Sequence, residues 1–230
     1  EVYKLISTGE TNGIFQMESG GFQNMLRKLK PDRFEDIILA VAIYRPGPME
    51  QIPSCVARKH GREKIEYVHP LMERILNETY GLIVYQEQVM QIAADMGGFS
   101  MGEADALRKA MGKKNQELMD KMLGKFRVGA TERGIESAII ERVANDMVEF
   151  AKYGFNKSHA AAYAVITYQT AWIKRYHPLE FLAATLTCEM EHPDKVIKFI
   201  QETKRMGYEV ILPSVMHSKL EFDVEDGRIR

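Results

Sequence analysis

The chain has 230 residues, 45% of them hydrophobic and 27% charged, with a formal net charge of −1. That is an ordinary globular composition, long enough for one large domain or two small ones. A balance so close to zero excludes whole-molecule charge as a sign of nucleic-acid binding, so any basic surface has to be local.

The chain begins without Met and stops at Arg230 inside an expected strand, so it reads as a piece of something longer. Residues 1–18 show no helical period, and Gly13 to Glu18 reads as a short extended lead-in. Ser19 is placed to cap a helix that runs to about Lys30 and stops at Pro31. Asp32-Arg33-Phe34-Glu35 then has the form of a capping box, with Ile37, Ile38, Val41 and Tyr44 following at helical spacing. Arg45-Pro46-Gly47-Pro48 forces a stop, because two prolines remove donors and push the arginine out of the α region. An arginine held so rigidly contacts a ligand or pairs with the core, and the spacing does not decide between them.

Beyond a short helix to Lys59, the stretch to Lys64 alternates in charge sign and reads as a solvated loop. Pro70 to Asn77 is expected to be helical. So is Ile83 to Met96, with Val89, Ile92, Ala93 and Met96 on one face. Ser100 and Glu103 form a second capping box for a helix ending at Gly112. Asn115 caps the next helix, whose Leu118, Met122, Phe126 and Ala130 repeat every four residues. Ile139, Val143, Met147 and Phe150 form another stripe. The helix from Ser158 towards Tyr176 is apolar on most faces, which predicts a central, buried element whose start, Ala160 to Ala162, permits close contacts. Helices from Pro178 and Pro193 follow. Tyr208–Leu212 and Leu220–Val224 then look like strands, with Asp226-Gly227 as a hairpin turn. The fold class is therefore mainly α, a helical domain over 1–207 and a small strand-containing element beginning at 208–230.

Two cationic clusters stand out. Arg108, Lys109, Lys113 and Lys114 put four cations in seven positions with no acid among them. The helix dipole accounts for Arg108 and Lys109 near a C-terminus, but not for two more lysines beyond the glycine. The second cluster is Tyr153-Gly154-Phe155-Asn156-Lys157-Ser158-His159. Ser158 reads as an N-cap there, and Lys157 and His159 stand where the dipole disfavours a cation by about 0.3–1 kcal/mol. No Asp or Glu lies between Glu149 and Glu180 to offset them. Free amides, a hydroxyl, a lysine and a histidine at one helix start suit a phosphate. A solvated loop with the lysine pointing away is the plainer alternative.

Catalytic constellations are scarce. There is no GxGxxG, no GxxxxGK[ST], no HExxH and no GxSxG. Glu103 and Asp105 do not face each other on a helix, so no metal site is expected. Cys55 and Cys188 are too few for a disulfide framework, which fits a reducing cytoplasm. Cys188 and His192 stand i, i+4, but two ligands do not make a zinc site, so a buried thiol and a surface histidine are expected. No signal peptide is visible, and no apolar run approaches the roughly 18 residues that span a bilayer.

Five stretches in one order carry a resemblance: Gly13–Ser19, Tyr44–Pro48, Thr79–Met90, Ala104–Lys114 and Tyr153–His159. Together they resemble the alpha subunit of bacterial DNA polymerase III, the C-family replicative polymerase, over its helical fingers domain. The resemblance implies a DNA-directed DNA polymerase in the cytoplasm whose metal-binding aspartates lie in a palm domain outside this chain. It also implies Mg2+ bound by that palm, primer-template DNA and dNTP as ligands, and other replicase subunits engaged through other regions. The fragment alone is then expected to be inactive. By the same likeness, Arg108, Lys109, Lys113 and Lys114 would contact phosphates or DNA backbone. Tyr153, Asn156, Lys157, Ser158 and His159 would line the nucleotide site, with Arg45 as an additional contact. Lys109 departs from the arginine often found second in its motif, and a lysine does not grip two oxygens as a planar fork does. The alternative from another class is a non-catalytic helical module that binds phosphate or nucleic acid.

Overall fold

The computed structural model describes residues 1–113 and 115–230. Among them are twelve α-helices, short 3-10 turns and one two-stranded antiparallel sheet. By their internal contacts the residues fall into two compact units, Glu1–Asp32 with Ala164–Arg230, and Arg33–Tyr163. No helix among the described residues is long and apolar enough to cross a membrane.

In the first unit, α1 (Val2–Thr8) is a helix that the sequence pattern did not predict. It is short, it buries only Val2 and Ile6, and Gly9 ends it in the left-handed region. Helix α2 (Gly20–Leu29) starts on Ser19 as expected, the hydroxyl accepting from the Phe22 N–H at 3.3 Å.

The second unit opens with α3 (Phe34–Ile43), whose N-cap is Arg33 with no side-chain cap bond, so the expected capping box does not form. Helix α4 (Ile52–Lys59) and α5 (Glu73–Leu76) lead to a left-handed Tyr80. Helix α6 (Gln86–Gly97) begins three residues later than its apolar pattern suggests. The reason is Gln88, which is buried and whose side-chain oxygen accepts the Val84 and Tyr85 N–H groups at 2.8 and 2.9 Å, with Tyr85 extended as the N-cap. Helices α7 (Met101–Gly112), α8 (Gln116–Glu132) and α9 (Ser137–Ala151) pack with α6 around one core that includes Ile92, Met96, Leu107, Phe126, Val143 and Met147. The Ser100–Glu103 capping box and the Asn115 cap both form as expected. Helices α6 and α8 touch at backbone level, since a Cβ on Gly129 would stand 2.0 Å from the Gly97 carbonyl oxygen.

Helix α10 (Lys157–Tyr176) contributes residues to both units. The expectation of a helix buried all round is corrected. Its buried positions are Ala160, Ala164, Thr167, Ala171 and Lys174, mostly small, while Val165, Ile166, Trp172 and Ile173 are exposed. Small side chains allow the close approach, and the large ones are left on the opposite face. Within the first unit, Thr167 donates to the Phe15 carbonyl at 3.1 Å, and Lys174 donates to the Glu10 and Asn12 carbonyls.

Helices α11 (Pro178–Cys188) and α12 (Pro193–Arg205) complete the series. Strand β1 (Val224–Glu225) pairs with β2 (Arg228–Ile229) in the register Val224↔Ile229 and Glu225↔Arg228. Asp226 and Gly227 both have positive φ, the backbone that a tight hairpin turn requires. The segment 208–230 is not independent of the helices, because Ile229 joins Phe181, Leu186 and Phe199 in one core. Val210 makes only an isolated bridge to Ile229 where a strand was expected. Cys188, expected to be buried, is exposed, and Cys55 is the buried thiol, its pKa pushed up to about 12 by burial.

Candidate functional site

The stretch 153–159 enters α10 through Asn156, whose side-chain oxygen accepts the His159 N–H at 2.9 Å. Asn156 is therefore the N-cap, and Ser158, expected in that role, lies inside the first turn. The Lys157 N–H points at the Glu87 carboxylate, 2.9 and 3.1 Å from its two oxygens. The Lys157 ammonium sits between both oxygens of Glu78, at 2.7 and 2.8 Å. The positive end of α10 thus attracts an anion as the dipole requires, and the chain itself supplies it. This corrects the expectation that only a ligand offsets Lys157. The counter-charges come from 70 and 79 positions away, beyond the reach of any local window.

Glu78 is held in place by a network around Asp36, which is fully buried. Lys59 and the Tyr80 hydroxyl each donate to the Asp36 carboxylate at 2.6 Å, and Arg33 donates at 3.3 Å. Arg33 also reaches the Glu78 carbonyl at 3.2 Å, tying the 77–80 turn to α3. Burial and the bond to Asp36 push the Tyr80 phenol up to about 12, so it stays a donor at neutral pH.

The second motif locks onto the same loop. Tyr85 and Phe155 form a parallel bridge, the Gln86 N–H bonding the Phe155 carbonyl at 2.8 Å. The Tyr153 ring lies on Gly47, where an added Cβ would stand 2.3 Å from the ring and where φ is +98°. His159 stacks on Tyr163 with centroids 4.3 Å apart and meets Phe155 edge-on at 5.3 Å. The Arg45 guanidinium carbon lies 3.6 Å over the Phe155 centroid. Three stretches far apart in sequence, 44–48, 78–87 and 153–159, therefore meet at one place.

Arg108 and Lys109 form a separate group on α7. Both bind Asp105, at 2.7 and 2.8 Å, so the acid missing from 108–114 comes from one turn upstream. Those bonds, Lys109 first, hold the Asp105 carboxyl below its ordinary range. Lys113 is exposed at the end of α7, and Lys114 lies outside the described residues. A cleft of about 240 Å3 is lined by Met111, Asn115, Gln116, Val148, Ala151 and Lys152, between the cationic end of α7 and the approach to Tyr153. Sequence reasoning missed Glu78 and Glu87. Both lie inside the 79–90 stretch or next to it, and the only signal was their place in a motif shared with the lysine's own loop.

Helices carrying two cation clusters, one wired to a glutamate pair and one to an aspartate, define a mainly helical domain. Residues 1–134 match the family model described as the bacterial DNA polymerase III alpha subunit finger domain, and the chain belongs to that family. It is 52% identical over 228 residues to DNA polymerase III subunit alpha of Chlamydia muridarum, covering 99% of this chain and 18% of that protein. It is 50% identical over 232 residues to the Campylobacter jejuni subunit (99% of this chain, 19% of that protein) and 49% over 229 to that of Thermus aquaticus (97% and 19%). The chain spans about a fifth of the length of these relatives.

Proposed function

We propose that this chain is the fingers region of a DNA-directed DNA polymerase, and that it holds the triphosphate of the incoming dNTP and the primer-template backbone. The observation that carries this reading is the convergence of the 44–48, 78–87 and 153–159 motifs around Phe155 and Lys157. Nucleotidyl transfer needs fixed cations over the phosphate oxygens and an in-line nucleophile, with little covalent chemistry from the protein. Base pairing reads sequence, so phosphate contacts without base-edge readout suit the task. Arg108, Lys109, Lys113 and Lys114 serve as one phosphate-contacting group. Tyr153, Asn156, Lys157, Ser158 and His159 line the nucleotide side. Among the described residues no group of three or more His, Cys, Asp or Glu is placed to hold a metal ion. Mg2+ is assigned to the palm of the parent enzyme, outside this chain, and no step here runs through it. Other replicase subunits bind elsewhere on the parent enzyme, which works in the cytoplasm.

The purified chain is expected to extend no primer; template-directed extension that disappears on changing residues within it would refute this. In a full-length polymerase carrying this sequence, Arg108→Ala with Lys109→Ala should cut kcat/KM for dNTP by at least about tenfold. Asp105 loses two surface partners in that variant, so the melting temperature should move little. Unchanged kinetics would assign α7 to fold alone.

A further inference from the structure

We propose that the outward face of α10 from Val165 to Tyr176 is a docking seam for a helix of the same polymerase polypeptide, from the part outside residues 1–230. The seam shares no residue with the two cation clusters, so it stands or falls apart from the phosphate-binding reading.

The first observation is the pattern. Val165, Gln169, Trp172 and Tyr176 follow one another at steps of four, three and four, with Ile166 and Ile173 beside them. Steps of three and four put all six on one face of a helix, in the spacing by which two helices interlock their side chains. The five apolar residues of that face are each 40–47% exposed. The stretch rises about 16 Å, three helical turns. Single apolar side chains on a surface need no explanation, but a contiguous row of them marks a contact.

The second observation is the lack of charge on the seam. Lys174 is turned inward onto Glu202 at 2.8 Å, and Arg175 reaches Glu1 at 3.3 Å. No Asp or Glu stands between Glu149 and Glu180. A nucleic-acid backbone needs cations against its phosphates, and a membrane-surface helix needs them along its polar face. The seam has neither, so its partner is protein. Gln169 is its one polar residue, and the side chain makes no hydrogen bond among the described residues. A single amide within an apolar seam sets register, because one alignment alone gives it a partner.

The third observation is preorganisation. The Trp172 ring centroid lies 5.1 Å from that of Tyr176 and 5.5 Å from that of His177, so the large rings already support one another along the helix. The β-branched Val165, Ile166 and Ile173 are stiff at χ1. Anchors held this way lose little freedom on binding, and Trp and Tyr dominate the energy of interfaces.

The choice of occupant follows from the chemistry and from chain length. Permanent interfaces are more apolar than transient ones, which favours a lasting partner over a passing subunit. This chain spans 18 and 19% of the relatives it matches at 52 and 50% identity, so most of such a polypeptide lies outside it. A helix on the same polypeptide is always present, at high effective concentration. The fitting helix has aliphatic or aromatic side chains at steps of three and four and a hydrogen-bonding residue opposite Gln169.

The test uses a full-length polymerase carrying this sequence, without DNA or other subunits. Hydroxyl-radical oxidation of Trp172 and Tyr176 is compared between the native and the urea-unfolded enzyme. Packing under a partner helix removes most of the 42% exposure of Trp172, so its oxidation should fall about fivefold or more. Oxidation at nearly half the unfolded rate would mean an open face and would overturn the inference. Protection that is lost on dilution, or that needs added DNA or another subunit, would overturn it too. A photocrosslinking residue in place of Gln169 should join a peptide of the same molecule outside residues 1–230; a crosslink to a second copy, shown by mixing isotopically labelled enzyme, contradicts this. Ile173→Asp should lower the first thermal transition by about 5 °C or more, because a charge enters a covered seam. Ile197→Asp, 54% exposed on α12, is the control and should shift it by less than about 2 °C. An Ile173→Asp enzyme that melts like the control would overturn the inference.

Discussion

Lys174→Ala is expected to destabilise the chain by about 3–5 kcal/mol, the usual cost of removing one partner of a buried ion pair. The Lys174 side chain is 1% exposed and that of Glu202 3%. The ammonium donates to Glu202 at 2.8 Å and to the Glu10 and Asn12 carbonyls at 3.0 and 2.8 Å, joining α10, α12 and the 10–12 turn. Without it two carbonyls lose a donor and a buried carboxylate keeps only Arg205 and Asn12. Urea unfolding of the purified chain measures the loss; a change below about 1 kcal/mol would mean that water or Arg205 replaces the ammonium. Glu202 adds a pH dependence. Burial alone would raise its pKa, but the bonds from Arg205, Lys174 and Asn12 hold it down at about 2. A folded value below the ordinary 4.5 means stability that is present above pH 4.5 and lost as pH falls towards about 2.

Lys157→Ala is expected to lower kcat/KM for dNTP by about ten- to a hundred-fold in a full-length polymerase carrying this sequence. Because Glu78 already pairs with the ammonium, nucleotide binding involves an exchange: the lysine leaves a carboxylate and takes a phosphate oxygen. Glu78→Gln should therefore leave nucleotide use unchanged or tighten it, the opposite of the lysine variant. The pair is partly solvated, with side-chain exposures of 36% and 29%. Lys157→Ala should then cost only about 0.5–1 kcal/mol of stability. Steady-state kinetics and melts on both variants check this. Normal kinetics with a clearly lowered melt for Lys157→Ala would make the lysine purely structural.

The helical class, the stops at glycine and proline, and the Ser19, Ser100 and Asn115 caps were legible because they are local signals. Each depends on residues within four positions of one another. The Asp226-Gly227 turn was legible for the same reason. Apart from the local 32–35 capping box, where Arg33 takes the N-cap position, what failed was long-range. Lys157 looked uncompensated because its acids arrive from Glu78 and Glu87, and α10 looked buried because apolar count says nothing about which side chains permit close approach. Ala164, Thr167 and Ala171 do, so Trp172 and Ile173 face outward. Ser158 lost the cap to Asn156 by two positions, a choice between two competent residues set by the tie of Phe155 to Tyr85 and Gln86. Of the candidate site, the residue types were readable and their partners were not. Arg45 was left between ligand and core until its stacking on Phe155 and its lack of an acid were visible.

The most direct measurement is the structure of a full-length polymerase carrying this sequence with primer-template DNA and an incoming dNTP. The triphosphate oxygens should stand about 2.7–3.2 Å from the Arg45 guanidinium nitrogens and from the Lys157 ammonium, with the Lys157–Glu78 pair opened. A triphosphate bound wholly by other segments, with Arg45 still unpartnered on Phe155, Lys157 still on Glu78 and Arg108 and Lys109 still on Asp105, would contradict it.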